Sequence, residues 1–231
     1  MSLVKIKQLK KSYLQGDVEV PALRGIDLQV EEGDFAALVG PSGSGKTTLL
    51  NHIGGLDRAT SGQLEVNGHN LIKMSESTLA KYRLHNIGFV FQAYNLVPVL
   101  SAVENVEFIM ILQGRSAAHA RQQAQAYMER VGLAEYANRR PKALSGGQQQ
   151  RVAVARALAA GPRLVLADEP TANLDTENAL ALLDLMRELN REEGVTFLFS
   201  THDQRVVERA ARVVELQDGV VANISAGKGC G

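Results

Sequence analysis

Residues 40–48 read GPSGSGKTT, a run of small side chains closed by Lys46 and two threonines. Small residues at that density let successive backbone N–H groups turn toward one point, and a polyphosphate is the ligand such a cradle suits. The spacing of Gly40, Gly45, Lys46 and Thr47 fits G-x-x-x-x-G-K-[ST]. In that pattern the lysine reaches the β- and γ-phosphates and the hydroxyl holds Mg²⁺. A glycine-rich turn before an ordinary helix is the plainer reading. The apolar run FAALV just before the loop, and the helical pattern just after it, favour nucleotide binding.

Other groups would complete such a site. RLVLADEP ends an apolar run with adjacent carboxylates, Asp168 and Glu169. Alternation along a strand points neighbours to opposite sides, so two roles are expected. Asp168 would support Mg²⁺ through a water, and Glu169 would polarise the attacking water as general base. His202 in LFSTHD and Gln92 in GFVFQAYN also come just after apolar runs. Loops leaving the C-terminal ends of parallel strands gather at one edge, where ligands bind. That places His202 near a γ-phosphate and gives Gln92 an amide oxygen for Mg²⁺ or water.

Residues 144–152, LSGGQQQRV, are a second glycine-rich helix start. Helix N-termini carry unsatisfied N–H groups and the positive end of the dipole. Ser145 can cap the helix or bond a phosphate oxygen. A serine N-cap alone would be unremarkable in this place. Yet Val152, Val154, Ala155 and Leu158 are expected to form an apolar stripe that anchors the helix. Two glycines then need a reason, since each weakens a helix interior by about 1 kcal/mol relative to alanine.

The elements that must position these residues are legible from periodicity. GIDLQVEEG and GQLEVNG alternate as half-buried strands, and FAALV reads as a strand buried on both faces. From about 75 to 160 helical patterns dominate. After that come strand RLVLAD, helix 176–192, strand VTFLFS, helix 203–211 and strands RVVELQD and VVANIS. This order predicts a mostly parallel α/β sheet with an antiparallel N-terminal part and a helical insertion.

Composition narrows the classes of function. The chain has 231 residues, with 25 basic and 25 acidic side chains and no net charge, which counts against a nucleic-acid partner. The one cysteine, Cys230, cannot form an internal disulfide, which fits a reducing compartment. No apolar run approaches a membrane span, the best, FIMIL at 108–112, being far too short, so if the protein works at a membrane another chain must provide the span.

GPSGSGKTT, Gln92, LSGGQ, LVLADE, ANLD and STHD occur together in this order, and in this the chain resembles the ATP-binding subunits of ABC transporters over essentially its whole length. GGLDRATSG and NIGFVFQAYNLVP are similar to the branch serving lipoprotein release, macrolide export and cell division, the MacB-like and LolD-like subunits paired with FtsX-type permeases. The resemblance implies one P-loop NTPase domain over 1–224. Its core would take in about 1–90 and 162–224, its helical subdomain about 91–161, and 225–231 would be a disordered tail. It implies ATP and Mg²⁺ as ligands, a head-to-tail homodimer, an integral-membrane permease as partner and a peripheral place on the cytoplasmic face of the inner membrane.

Site roles are also implied by the resemblance. Tyr13 would stack on adenine, and Ser42, Gly43, Ser44, Gly45, Lys46, Thr47 and Thr48 would hold the phosphates. Thr47, Gln92 and Asp168 would serve the metal, while Glu169 and His202 would serve hydrolysis. Ser145, Gly146, Gly147, Gln148 and Asp175 would act across the dimer on the partner's nucleotide. Ala172 departs from the glycine usual in this branch. Leu96, Val97, Pro98 and Leu100 form an apolar run with two readings, a permease-docking surface or subdomain core. Two other functional classes are a soluble ABC ATPase acting on DNA or ribosomes, and an ATPase switch that signals across a membrane without cargo.

Overall fold

A computed structural model describes residues 1–228. Among these the strands form two sheets. The smaller is antiparallel, in the order β2 (Val18–Glu31), β1 (Ser2–Gln15), β4 (Ser61–Val66), β5 (His69–Asn70). The larger runs β10 (Val220–Ala226), β9 (Arg212–Gln217), β3 (Phe35–Val39), β8 (Thr196–Thr201), β7 (Leu164–Asp168), β6 (Ile87–Phe91). Its strands are parallel except β10, which lies antiparallel along the edge. The helices are α1 (Lys46–Ile53), α2 (Glu76–Asn86), α3 (Ala102–Leu112), α4 (Ala117–Arg130), α5 (Gly146–Ala159), α6 (Thr176–Glu193) and α7 (Gln204–Arg209).

The solid apolar strands predict burial on both faces, and the side chains divide accordingly. Leu38, Leu164, Leu166 and Leu198 face the antiparallel sheet and α1, where they meet Ile6, Ile26, Leu49 and Ile53. Phe35, Val165, Phe197 and Phe199 face the opposite way, against Leu182, Leu183 and Met186 of α6. The Phe35 and Phe199 rings meet nearly edge to face, with centroids 4.5 Å apart.

The 75–160 block is not uniformly helical. β6 interrupts it and adds the outer strand of the parallel sheet, while Leu79 and Tyr82 of α2 pack in the core shared with the antiparallel sheet. The separate helical layer is α3, α4 and the facing side of α5, filled by Val103, Val106, Met110, Met128 and Leu133. Arg130 of α4 bridges both Glu192 and Glu193 at the end of α6, tying this layer to the rest.

α5 is central because it is apolar on two sides. Val152, Ala155 and Ala159 face the helical layer, whereas Val154, Ala157 and Leu158 face the parallel sheet. The single stripe read from the sequence is therefore two stripes, which is what a helix wedged between layers requires. Order also persists beyond residue 224. Ser225 and Ala226 pair with Val213 and Arg212, and Gly227 donates to the Ala211 carbonyl. Residues 229–231 of the expected tail, Cys230 among them, lie outside the described residues.

α5 crosses β6 at Gly88, where a Cβ would stand 2.7 Å from the Ala157 carbonyl oxygen. Backbone cannot yield as a flexible side chain can, so Gly88→Val is expected to push helix and strand apart. The cost should be about 1–3 kcal/mol, read as a lower urea midpoint at unchanged m-value.

Candidate active site

β3 runs into the glycine loop and α1, and the loop's shape demands its glycines. Gly40 has φ 151, and a Cβ there would lie 2.1 Å from the Leu216 carbonyl oxygen. Gly45 caps α1 in the left-handed region, φ 101, with Ala22 O and Leu23 Cδ2 each 2.9 Å from the position of a Cβ. Gly219 N–H donates to the Ser44 carbonyl at 3.2 Å, pinning the loop to the β9–β10 turn. Lys46 is buried to 8% exposure, and its Nζ donates to the carbonyls of Gly40 at 2.8 Å and Pro41 at 3.0 Å.

Beside the loop lies a cleft of about 550 Å³. Its wall includes Ser42, Lys46, Thr47, Gln92, Glu169 and His202, so residues distant in sequence meet at one edge of the parallel sheet. The register explains the convergence. Phe91 pairs with Asp168 and Asp168 with Ser200, which brings the ends of β6, β7 and β8 level.

The two carboxylates are separated by more than alternation. Asp168 ends β7, and its Oδ1 accepts from Thr47 Oγ1 at 3.1 Å and from Ser200 Oγ. Glu169 has left the strand altogether, with φ 48, a conformation that side-chain-bearing residues rarely adopt. Its N–H donates to the Ser200 carbonyl at 3.0 Å, and its Oε1 accepts from His202 Nδ1 at 2.8 Å. Glu169 Oε2 is buried and without a hydrogen-bond partner among the described residues. An ionised carboxylate only accepts, so in this bond His202 Nδ1 is the donor when Glu169 is ionised, and the ring itself is 74% exposed.

Tyr13 sits on β1 opposite Val20. Its hydroxyl donates to Asp57 Oδ2 at 2.7 Å and Lys11 Nζ lies 4.6 Å from its ring centre, so one face of the ring is taken by a cation. Burial, then the Asp57 contact, raise its phenol above the usual range.

The second glycine-rich start lies elsewhere. Among the described residues, those lining the cleft do not include Ser145, Gly146, Gly147, Gln148 or Asp175. Ser145 and Gln148 form a reciprocal capping box, with Ser145 N–H donating to Gln148 Oε1 at 2.9 Å. The glycines also have an intrachain reason. A Cβ at Gly146 would meet the Tyr94 hydroxyl at 2.8 Å, and one at Gly147 would meet Asn178 Oδ1 at 3.0 Å. Asn178 is held in turn by Asp175, the N-cap of α6, whose carboxylate accepts from its backbone N–H and its side chain. Those two bonds, the backbone one foremost, hold Asp175 below the ordinary carboxylate range.

Several positioning groups had no signal in the sequence. Tyr94 and Asn95 both have positive φ, 60 and 50, and Arg156 of α5 donates to both of their carbonyls. Thr171, fully buried, donates to Asp203 Oδ2 at 2.8 Å, linking the turn after Glu169 to the turn after His202. Only contacts between distant segments give these residues meaning. Burial works to raise the Asp203 pKa, but bonds from Arg205 and Thr171 outweigh it and hold the carboxylate low. A lowered native pKa contributes stability above the unfolded value of about 4, lost as pH falls through the native one. Thr171→Val should therefore cost about 1–3 kcal/mol near neutrality. Its thermal midpoint should approach that of the parent protein as pH falls below the unfolded carboxylate value of about 4 toward the lower native one.

The comparisons with known proteins agree with this geometry. A family model described as ABC transporter matches residues 23–172. The lipoprotein-releasing system ATP-binding protein LolD 1 of Rhodopseudomonas palustris is 50% identical over 95% of this chain and 98% of its own length. The macrolide export ATP-binding/permease protein MacB of Syntrophobacter fumaroxidans is 47% identical over 96% of this chain, which spans 31% of that longer protein. Among solved structures, a dimeric post-hydrolysis state of the ATP-binding cassette MJ0796 with ADP and Pi superposes with a TM-score of 0.89. The two are 40% identical, with 96% of this chain and 98% of that one covered. A glycine loop opening on a cleft, a strained glutamate held by a histidine, and a match across nearly the whole chain lead to one conclusion: the chain belongs to the ABC transporter family, as its ATP-hydrolysing nucleotide-binding cassette.

Proposed function

We propose that two copies close head to tail on ATP, each glycine loop facing the other's LSGGQ helix, and that this closure drives a separate membrane permease. The observation that carries the reading is the split of phosphate-binding features within one chain. The cleft holds the loop, Gln92, Glu169 and His202, while the Ser145–Gln148 helix start stands outside it. A second copy, as in the dimeric MJ0796 structure, would supply what the cleft lacks. Ser145, Gly146, Gly147, Gln148 and Asp175 then act in trans.

Within one copy, Ser42 through Thr48 hold the phosphates and Lys46 exchanges its loop carbonyls for phosphate oxygens. Tyr13 offers its remaining face to the base. The residues around Asp168 fit Mg²⁺: Thr47, Asp168 and Gln92 give hydroxyl, carboxylate and amide oxygens, the donor set of a hard cation, and Glu169 has a buried oxygen unengaged. When bound, the ion would neutralise charge developing on the β- and γ-phosphates. Glu169 takes the proton of the attacking water, and its bond to His202 fixes the orientation of the carboxyl group.

A groove of about 370 Å³ between α2, β6, α3 and α5 suits the permease contact. Val97, Phe91, Phe108 and Ile109 line it, and it reaches Arg156. Phe108, Ile111 and Leu112 leave apolar surface exposed along α3. The four-residue run divides here: Leu96 packs on the helical core, while Val97 lines the groove. No helix among the described residues is long and apolar enough to cross a membrane, so the permease would come from another chain. The LolD and MacB relatives favour lipoprotein or macrolide transport at the inner membrane's cytoplasmic face over a cargo-free signalling switch. The whole described chain acts as one domain, its helical layer tied to α6 through Arg130.

Glu169→Gln should bind ATP normally, hydrolyse it at least about a hundredfold more slowly and accumulate as a dimer by light scattering. A monomer that turns over normally would sink the shared-site reading. For the groove, Phe108→Asp should abolish co-sedimentation with permease-containing membranes at unchanged ATP affinity. Leu96→Asp should instead lower the melting temperature.

A further inference from the structure

Gln150 is a buried polar side chain beside the site that the roles above do not use. Gln150, one turn into α5 from the glycines, has no exposed surface. Its Nε2 donates to the Pro170 carbonyl at 2.9 Å and to the Phe91 carbonyl at 3.4 Å. Both partners only accept, so the amide orientation is set by them. Phe91 immediately precedes Gln92 and Pro170 is the next residue after Glu169, and β6 and β7 are adjacent in the sheet. Gln150 Oε1 is buried and has no partner among the described residues.

A buried acceptor left unpaired is destabilising, and a methionine would fill the same space without that cost. Gln150 also sits on a helix with apolar residues facing both layers, where a polar side chain has no packing advantage. A group retained against stability points to a task other than stability.

We propose that Gln150 is a positioning residue for hydrolysis: its amide fastens the LSGGQ helix to the ends of β6 and β7 and sets Gln92 and Glu169 against one another. The inference rests on the roles given to Gln92 and Glu169 above. One donor group serves both carbonyls, so a small shift of α5 alters both strand ends together. The left-handed backbone at Glu169 makes that end depend on outside support. Engagement of Ser145–Gln148 by nucleotide at the start of the same helix would thereby reach the general base through a single side chain.

The test compares Gln150→Met and Gln150→Glu with the parent chain. Gln150→Met should melt at or above the parent temperature and bind a fluorescent ATP analogue within twofold. Its kcat should fall at least tenfold at unchanged KM for Mg-ATP. A folded Gln150→Met with kcat within twofold of the parent would overturn the proposal. Should Gln150→Met fail to fold, Gln150→Glu decides through its pH profile. A neutral carboxyl can donate one bond, whereas a carboxylate repels both carbonyls, and burial favours the neutral form. The kcat ratio of Gln150→Glu to parent should rise at least threefold from pH 8 to pH 6, and a flat ratio defeats the idea. Glu169→Gln separates the layers: normal hydrolysis by that variant removes the underlying assignment, while an inactive Glu169→Gln beside a parent-like Gln150→Met removes Gln150 alone.

Discussion

The Asp168 carboxylate holds the site together. It accepts from Thr47 on the loop-bearing helix and from Ser200 on the neighbouring strand. A single acceptor therefore ties the helix that follows the glycine loop, β7 and β8 at one level. Register does the rest, because β6, β7 and β8 end together and the turns leaving them must share the same edge. Gln92, Glu169 and His202 are near one another for that reason, although the chain between them is long.

Around this edge the backbone is held in conformations it would not choose alone. Glu169, Tyr94 and Asn95 have positive φ without being glycine. Each is supported from outside its own segment: Glu169 by Ser200 and His202, Tyr94 and Asn95 by Arg156. Such strain costs of order 1–3 kcal/mol per residue and persists only when neighbours over-determine it. The supports come from β8, the turn beyond it and α5, so the segments that would meet nucleotide report the placement of elements behind them.

α5 is the element through which much of that support runs. It buries one face in the helical layer and the other against the parallel sheet, and it crosses β6 closely enough to require Gly88. Its glycines are packed against Tyr94 and Asn178. Part of the pressure for glycine there is thus close packing within the chain, a cause separate from any phosphate. A rigid helix with contacts at both ends suits the transmission of small displacements, since packed interfaces shift between discrete arrangements and do not deform smoothly.

Much of this was legible in one dimension. The glycine loop, the paired carboxylates and the strand–helix alternation are local patterns, and locality is what periodicity and spacing report. Lys46, Thr47, Asp168 and Glu169 could be singled out by residue type beside an apolar run, and the fold brings them to one edge of the sheet. Tertiary structure alone decided the rest. It split the stripe on α5 into two faces, sent Leu96 inward and Val97 to the groove, and turned Glu169 out of strand geometry. It also gave Gln150, Arg156 and Thr171 partners tens of residues away. A hydrogen bond between a distant carbonyl and a lone polar side chain leaves no periodic trace, because its partners are chosen by packing and not by spacing along the chain.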